Sequence, residues 1–426
     1  MRTAHPEPNQ IMLRTCILTV CLATPALAQT TLHVDDDGSQ PGQFSTIGAA
    51  LAVASPGDRI LVQGGAYPGF SISRGVTIVA QGQPRIVGTV SITAVPADEL
   101  VVLSGFGLDF SAQRLALTDC SGTVWVDGCT IVGGPPSGAR LFEIRNCVDA
   151  RLQRCIVRPS TGPFFAYTGL SIINSRVELS DCDIKGGDGI DSAGTPKDGG
   201  VGVRCSQQSR VHLARTTVEG GKGGNGDSSF GTNGASGGDA LEASTNSTVI
   251  VAGDSSDVIR GGARGTPSGF SWPLNLQGRG AYGGFSSSLR HSGVAIVDGA
   301  NAPSISWFAT VTAPAVPDPT LELVGATTVG APILFTLHGP PALNGRLQQG
   351  KSARLLPDAL SVIEQLNDRF RLHALGPIGS NGHALFPFTV PANVQPGWLR
   401  TFQGLTIDPF TGDVGERTNS VLVLAR

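Results

Sequence analysis

The chain has 426 residues, of which 58 are glycine, 40% are hydrophobic and 15% are charged. That much apolar material excludes a disordered chain, and abundant glycine with few aromatics favours turn-rich β structure over helices. A formal net charge of −3 supplies no basic footprint, which argues against a nucleic-acid partner held by charge.

The first predicted element is an export signal over residues 1–28. Met12 and Arg14 precede an apolar run from Ile17 to Leu22, then Pro25 and the small-residue pattern Ala26-Leu27-Ala28, with cleavage expected before Gln29. The run is too short to span a bilayer, and no later stretch is apolar enough to do so. A protein outside the cytoplasm, secreted, periplasmic or at the cell surface, is therefore expected, as a monomer. Beyond the signal, residues 45–58 carry a start and a stop suited to a short helix. Ser45 or Thr46 is the N-cap, and Pro56-Gly57-Asp58 the stop.

From residue 118 the chain repeats itself. The triplets Val124-Trp125-Val126, Ala150-Arg151-Leu152, Val177-Glu178-Leu179, Val211-His212-Leu213 and Val249-Ile250-Val251 share aliphatic outer members and a variable middle one. Alternation with period two marks a strand with one buried face, and recurrence at roughly 27 residues marks one structural unit stacked on copies of itself. Each unit is too short for a strand-helix-strand crossover and shows no helical periodicity. It fits one coil of a parallel β-helix, in which equivalent residues stack about 4.8 Å apart. Fully burying each Val or Leu of such columns is worth roughly 1.5–3 kcal/mol.

The six cysteines after the signal follow the same register. Cys129, Cys155 and Cys182 form one column with Thr216 next, while Cys120 and Cys147 begin another that Cys205 is a candidate to join. Buried thiols and disulfides are both open, since neighbouring coils satisfy the backbone reach of a bridge. Three inserts that open on glycine pairs, "GGDGIDSAGTPKDGG", "GGKGGNGDSSFGTNGASGG" and "GGARGTPSGFSWPLNLQGRGAYGG", are expected to project from one bend of successive coils as a shelf.

The stretch from residue 32 to 82, with Val34-Asp35, Phe44-Ser45-Thr46-Ile47, Gly57-Asp58, Ile60-Leu61-Val62 and Gly65-Ala66-Tyr67, resembles the opening of secreted right-handed β-helix proteins of the pectin-lyase-like class. The resemblance implies an all-β chain that opens with a strand, a short amphipathic helix from about Ser45 to Ala54 that caps the bore of the stack, and a first coil. The expected organisation is a right-handed parallel β-helix over 29–311, a proline-rich linker over 312–319 and a small antiparallel β-sandwich over 320–426. That last region is similar to C-terminal modules of secreted bacterial proteins. The polygalacturonase and pectinesterase sequence patterns are missing, so the resemblance implies a scaffold and assigns no catalytic residue.

Candidate sites come from the outward columns. Trp125, Arg151, Glu178 and His212 are expected to stack on one exterior face, with Asp127, Gln153 and Ser180 two residues on and Gly128, Arg154, Asp181 and Arg215 at the adjoining bend. Carboxylates one or two coils apart bracket the separations of glycoside hydrolysis, and a base beside an acid suits uronate elimination. A solvent-facing ladder of alternating charge gives the same pattern without chemistry. If there is chemistry, Glu178, Asp181, His212 and Arg151 are its candidates. Trp125, Trp272, Arg154 and Arg215 are the candidates for ligand contact, aromatic faces being platforms for sugars. "GGDGIDSA" fits most of a calcium nonapeptide, which makes Asp188 and Asp191 candidate metal ligands; no other cofactor is expected. "GRLQQGKS", Gly345 to Ser352, fits a phosphate loop by pattern, but Pro340-Pro341 and export favour a polar hairpin. The expected function is binding of a polysaccharide or cell-surface polymer with little or no catalysis. A polysaccharide lyase or hydrolase, and a purely structural surface protein, are the alternatives.

Overall fold

The computed structural model describes residues 29–425 except 38–42, 111–113, 135–139, 162–165, 192–194, 228–232, 267–275, 285, 307, 315–317, 326–329, 340, 342, 351–352, 356–363, 367–370, 397, 408 and 412–413. The expected signal segment and Trp272 lie outside the described residues.

Alternating apolar residues separated by single-residue bends wind the chain into coils of three short strands. In one coil these are Phe142–Arg145, Asp149–Gln153 and Ile156–Pro159; in the next they are Leu170–Ile173, Arg176–Ser180 and Asp183–Lys185. Each strand pairs in parallel with its equivalents before and after it, so the stack has three faces. The Asp149–Gln153 ladder is the first face, an eleven-stranded sheet. The Ile156–Pro159 and Phe142–Arg145 ladders, the second and third faces, are joined through the long strand Arg85–Thr93. This is a parallel β-helix, as expected. Val126, Leu152, Leu179, Leu213 and Val251 stand in register, beside Val124, Ala150, Val177, Val211 and Val249. All ten are at most 1% exposed. The helix Ile47–Val53 is capped by Thr46, whose hydroxyl accepts from the Ala49 amide at 3.1 Å, and buries Ile47, Ala50 and Leu51 against the stack.

Two of the three corners turn on one residue in the left-handed region. Between the third and first faces it is Asp119, Asn146 or Asn174, with φ of 55°, 52° and 46°, and in the next two coils a pair, Gln207-Gln208 and Thr245-Asn246. Between the first and second it is Gly128, Arg154, Asp181 or Arg215, with φ of 57°, 53°, 55° and 45°. Asp, Asn and Gly tolerate this conformation best; arginine adopts it at a cost of roughly 1–2 kcal/mol.

The residue after each turn points inward and is a small donor, which explains the repeated cysteines. Cys147 donates to Arg145 O at 3.3 Å, and Ser175, next in that column, donates to Ile173 O at 2.7 Å. At the other corner Cys155 donates to Gln153 O at 3.4 Å and Thr216 to Ala214 O at 3.0 Å. Thiol and hydroxyl do the same work, closing the carbonyl that the turn leaves behind. All six cysteines between residues 120 and 205 are buried and free. Cys205 does not join Cys120 and Cys147: it stands in register with Ile172 on the third face, and Ser175 takes the place it was expected to fill.

The inserts leave the third corner of successive coils and pack into a shelf whose described residues, up to the strand Ala281–Gly283, form no helix or strand. Its members are extended segments joined edge to edge. Gly200 donates to Gly187 O, Gly221 to Gly200 O, Gly238 to Gly221 O, Gly262 to Gly238 O and Gly278 to Gly262 O, at 2.7–2.8 Å. A second set links equivalent segments of neighbouring coils, such as Gly189 to Lys222 O and Gly223 to Ala263 O. Only glycine permits this approach: a Cβ on Gly221 would sit 1.9 Å from Gly187 O, and one on Gly262 1.8 Å from Gly221 O.

After the last strand of the first face, Thr310–Thr312, the chain forms two larger antiparallel sheets and a two-stranded one of Ala353–Leu355 and Glu364–Leu366. Thr320–Val324, Pro332–His338 and His383–Thr389 make one; Arg371–Pro377, Asn344–Gly350, Leu399–Ile407 and Val414–Leu424 make the other. Phe335 and Phe402 meet between them with ring centroids 4.4 Å apart. The phosphate-loop pattern is resolved here. Gly345 to Gly350 is neither loop nor hairpin but an inner strand, paired to Arg371–Pro377 on one side and Leu399–Ile407 on the other. Lys351 and Ser352 lie outside the described residues. Glu364–Leu366 is a strand.

Candidate functional site

The parallel register brings Trp125, Arg151, Glu178 and His212 together on the outer side of the first face, one per coil. Their expected exposure is not found. Trp125 is 2% exposed, Arg151 1% and Glu178 2%, while His212 is half-buried. The C-terminal module lies against them: Leu422 and Leu424 pack on Leu61, Val79, Val102 and Trp125. Side-chain amides continue the contact. Gln153 donates to Leu422 O at 3.1 Å and accepts from Leu422 N at 2.7 Å, and Asn419 donates to Ser180 Oγ at 3.3 Å.

Under this cover each candidate has a structural employment. Arg151 makes a two-pronged pair with Asp149, at 2.8 and 2.9 Å, and its guanidinium lies 5.0 Å from the Trp125 ring centre. The indole face proposed for a sugar is thus occupied by Arg151 and the module's leucines. Glu178 accepts from Ser180 Oγ at 3.5 Å. His212 has its Nδ1 enclosed without a hydrogen-bond partner, and burial holds its imidazole down to about 4. A histidine so placed stays neutral at physiological pH.

The bend residues pair among themselves. Arg154 binds Asp127 through Nη2 at 2.6 Å and Nε at 3.0 Å, while Ser104 Oγ donates to the same carboxylate at 2.8 Å. Arg215 is ion-paired with Asp181. Burial raises the Asp181 carboxyl, with Arg215 opposing. Four of the candidates therefore form two charge-neutral couples along one corner.

The aspartates of the calcium-like repeat cap the shelf. Asp188 accepts from the Lys222 amide at 2.8 Å and pairs with Lys185 at 3.0 Å; Asp191 accepts from Asn225 N at 2.6 Å and Asn225 Nδ2 at 3.1 Å. The hydrogen bonds from Asn225 hold the Asp191 carboxyl below its ordinary value. Each carboxylate satisfies an amide one coil on. Among the described residues no group of three or more His, Cys, Asp or Glu side chains is placed to share a metal ion.

An open groove lies elsewhere, along the corner between the third and first faces. It encloses about 550 Å³ and is lined by Asn146, Asn174, Gln208 and Asn246 with Arg176 and Arg210 beside them. Asn146 donates to Asp119 Oδ1 at 2.8 Å and Asn174 to Asn146 Oδ1 at 2.9 Å, so the amides form a ladder. Arg176 and Arg210 are register partners. The signal for this groove is in the sequence: an Asn directly before a column Cys or Ser, as in Asn146-Cys147 and Asn174-Ser175, marks a left-handed corner.

Among the described residues no helix is long and apolar enough to cross a membrane. No protein-family model and no curated protein matches the chain. A structural likeness is found to the crystal structure of pectate lyase Pel9A, at a TM-score of 0.31 and 10% identity, over 66% of this chain and 78% of that one.

Proposed function

We propose that the protein is an exported β-helix that binds a polysaccharide or other cell-surface polymer along the amide-lined groove, without chemistry on its first face. The observation that carries this reading is the repetition of Asn146, Asn174, Gln208 and Asn246 on successive coils of one open groove. A carboxamide holds a donor and an acceptor in one plane, which matches adjacent hydroxyls on a pyranose ring. Repeated one coil apart, such groups offer a series of weak subsites to a repeating chain, and affinity accumulates along it. Arg176 and Arg210 add charged donors at the same spacing. The burial of Arg151, Glu178 and Trp125 beneath the C-terminal module supports a binding role, since a polymer outside does not reach them. Export rests on the apolar run and Ala26-Leu27-Ala28 of the leader.

The test is a glycan and cell-wall polymer array with the mature chain, repeated with Asn174→Ala and Arg210→Ala. Binding weakened by both substitutions supports the reading; binding indifferent to them moves the site elsewhere. Release of reducing ends or unsaturated products, abolished by Glu178→Gln, replaces it with a catalytic one.

A further inference from the structure

The contact between stack and module has two unlike halves. Toward the first coils it is apolar, with Leu422 and Leu424 on Leu61, Val79, Val102 and Trp125. Toward the later coils it is ionisable. Asn419 ties the two bodies there, donating to Ser180 Oγ and Leu321 O and accepting from Leu321 N at 2.7 Å. Asp181 follows Ser180 in the chain and Glu322 follows Leu321, so the two carboxylates face each other across the boundary, close enough for Glu322 to raise the Asp181 carboxyl. Around them, Asp181 Oδ2, Arg215 Nη1, His212 Nδ1 and His383 Nδ1 are enclosed without hydrogen-bond partners. Buried polar atoms are normally satisfied, and four orphans in and beside one contact mark it as costly to keep closed.

Two histidines give this half its sensitivity. His338 lies 3.1 Å from Glu322 Oε2, and its ring stands edge-on to His383 with centroids 4.6 Å apart. The groups facing it are Glu322 from one neighbouring strand, His383 from the other, and Arg215 and Asp254 from the stack. The two carboxylates favour a charged His338; burial, Arg215 and His383 oppose it, and the opposition wins, holding it below its ordinary value. His212 faces Glu178 in register and Asp318 from the linker. Its burial overrides Asp318 in the same direction. A histidine kept neutral only while the module is docked supports docking above its ordinary value and withdraws that support as pH falls below it. Asp181, held above its ordinary value of 3.8 by burial, acts in the opposite sense between that raised value and 3.8. The histidines begin to act at their ordinary value of 6.5, two groups against one.

We propose that the C-terminal module is an acid-released cover: protonation at His338 and His212 loosens its ionisable half and uncovers the outer side of the first face, while the stack stays folded.

Hydrogen exchange on the full mature chain tests this, as protection factors between about pH 7.5 and about pH 5. Protection of the 420–424 amides is expected to fall about tenfold or more, one pKa unit being worth 1.36 kcal/mol, with the Leu152 and Leu179 amides unchanged. His338→Gln and His212→Gln are each expected to flatten the response; having both guards against one variant that fails to fold. The proposal is overturned if the 420–424 amides stay protected at the lower pH, if the stack loses protection in step with them, or if both folded variants keep the full response.

Discussion

Gln153 on the first face pairs its carboxamide with the backbone of Leu422, 269 positions away in the chain, donating to its carbonyl and accepting from its amide. A side chain here takes the part of a neighbouring strand. Gln153→Ala leaves both backbone groups buried and unpaired, at about 1–3 kcal/mol each. The expected result is a lower midpoint of chemical denaturation for the C-terminal module. Gln153→Glu is expected to be no better, because it removes the donor and encloses a charge.

The Arg151–Asp149 pair is buried on both sides, with side chains 2% and 5% exposed. Asp149→Asn removes a charged partner from a guanidinium in an enclosed site, at a cost of about 1.5–3 kcal/mol. A thermal unfolding comparison with Arg176→Ala, outside the cover, checks that the effect belongs to burial rather than to loss of any charge.

Glycines of the shelf and of the helix are expected to respond oppositely. Gly262→Ala places a Cβ 1.8 Å from Gly221 O and is expected to destabilise by more than about 2 kcal/mol, since backbone has no room to yield. Gly48, inside the capping helix, has nothing within 4 Å of its Cβ direction, and Gly48→Ala is expected to stabilise by about 0.5–1 kcal/mol. Denaturant titrations of the two variants give the comparison.

The corner cysteines are expected to be inert. Burial raises the Cys129 and Cys205 thiols well above their ordinary range, and thiolate is the reactive form; the Cys120 thiol, lowered to about 7 by its hydrogen bond with Cys147, is shielded from reagent by full burial instead. A thiol reagent should label none of the six in native protein and all six in guanidinium. Cys155→Ser, which reproduces the donor used by Ser175 and Thr216, is expected to cost less than about 1.5 kcal/mol.

The stack is legible in the sequence because each ladder is written as a period-two triplet whose copies align by eye. The covering of the first face is less so. Trp125, Arg151, Glu178 and His212 occupy outward positions, and an outward position facing solvent has the same local pattern as one facing another module. Two signals do exist. Leu61, Val79 and Val102 are apolar on the outer side of the early coils, and Val421, Leu422, Val423 and Leu424 are all fully buried, the continuous run of a strand covered on both sides. Neither names its partner, because the contact joins segments far apart in the chain. The phosphate-loop pattern misleads for a related reason: glycines at two positions fit a loop, yet pairing on both edges makes Gly345 to Gly350 a strand.

A solenoid whose repeats touch only their neighbours unzips from an end, one turn at a time. The C-terminal strand interrupts that freedom. Lying across Leu61, Val79, Val102, Trp125, Gln153 and Ser180, the module acts as a splint fastened to six consecutive rungs. Fraying of the early turns then requires the splint to be lifted as well, so the first half of the spiral gains a cooperativity that its own ladders do not provide.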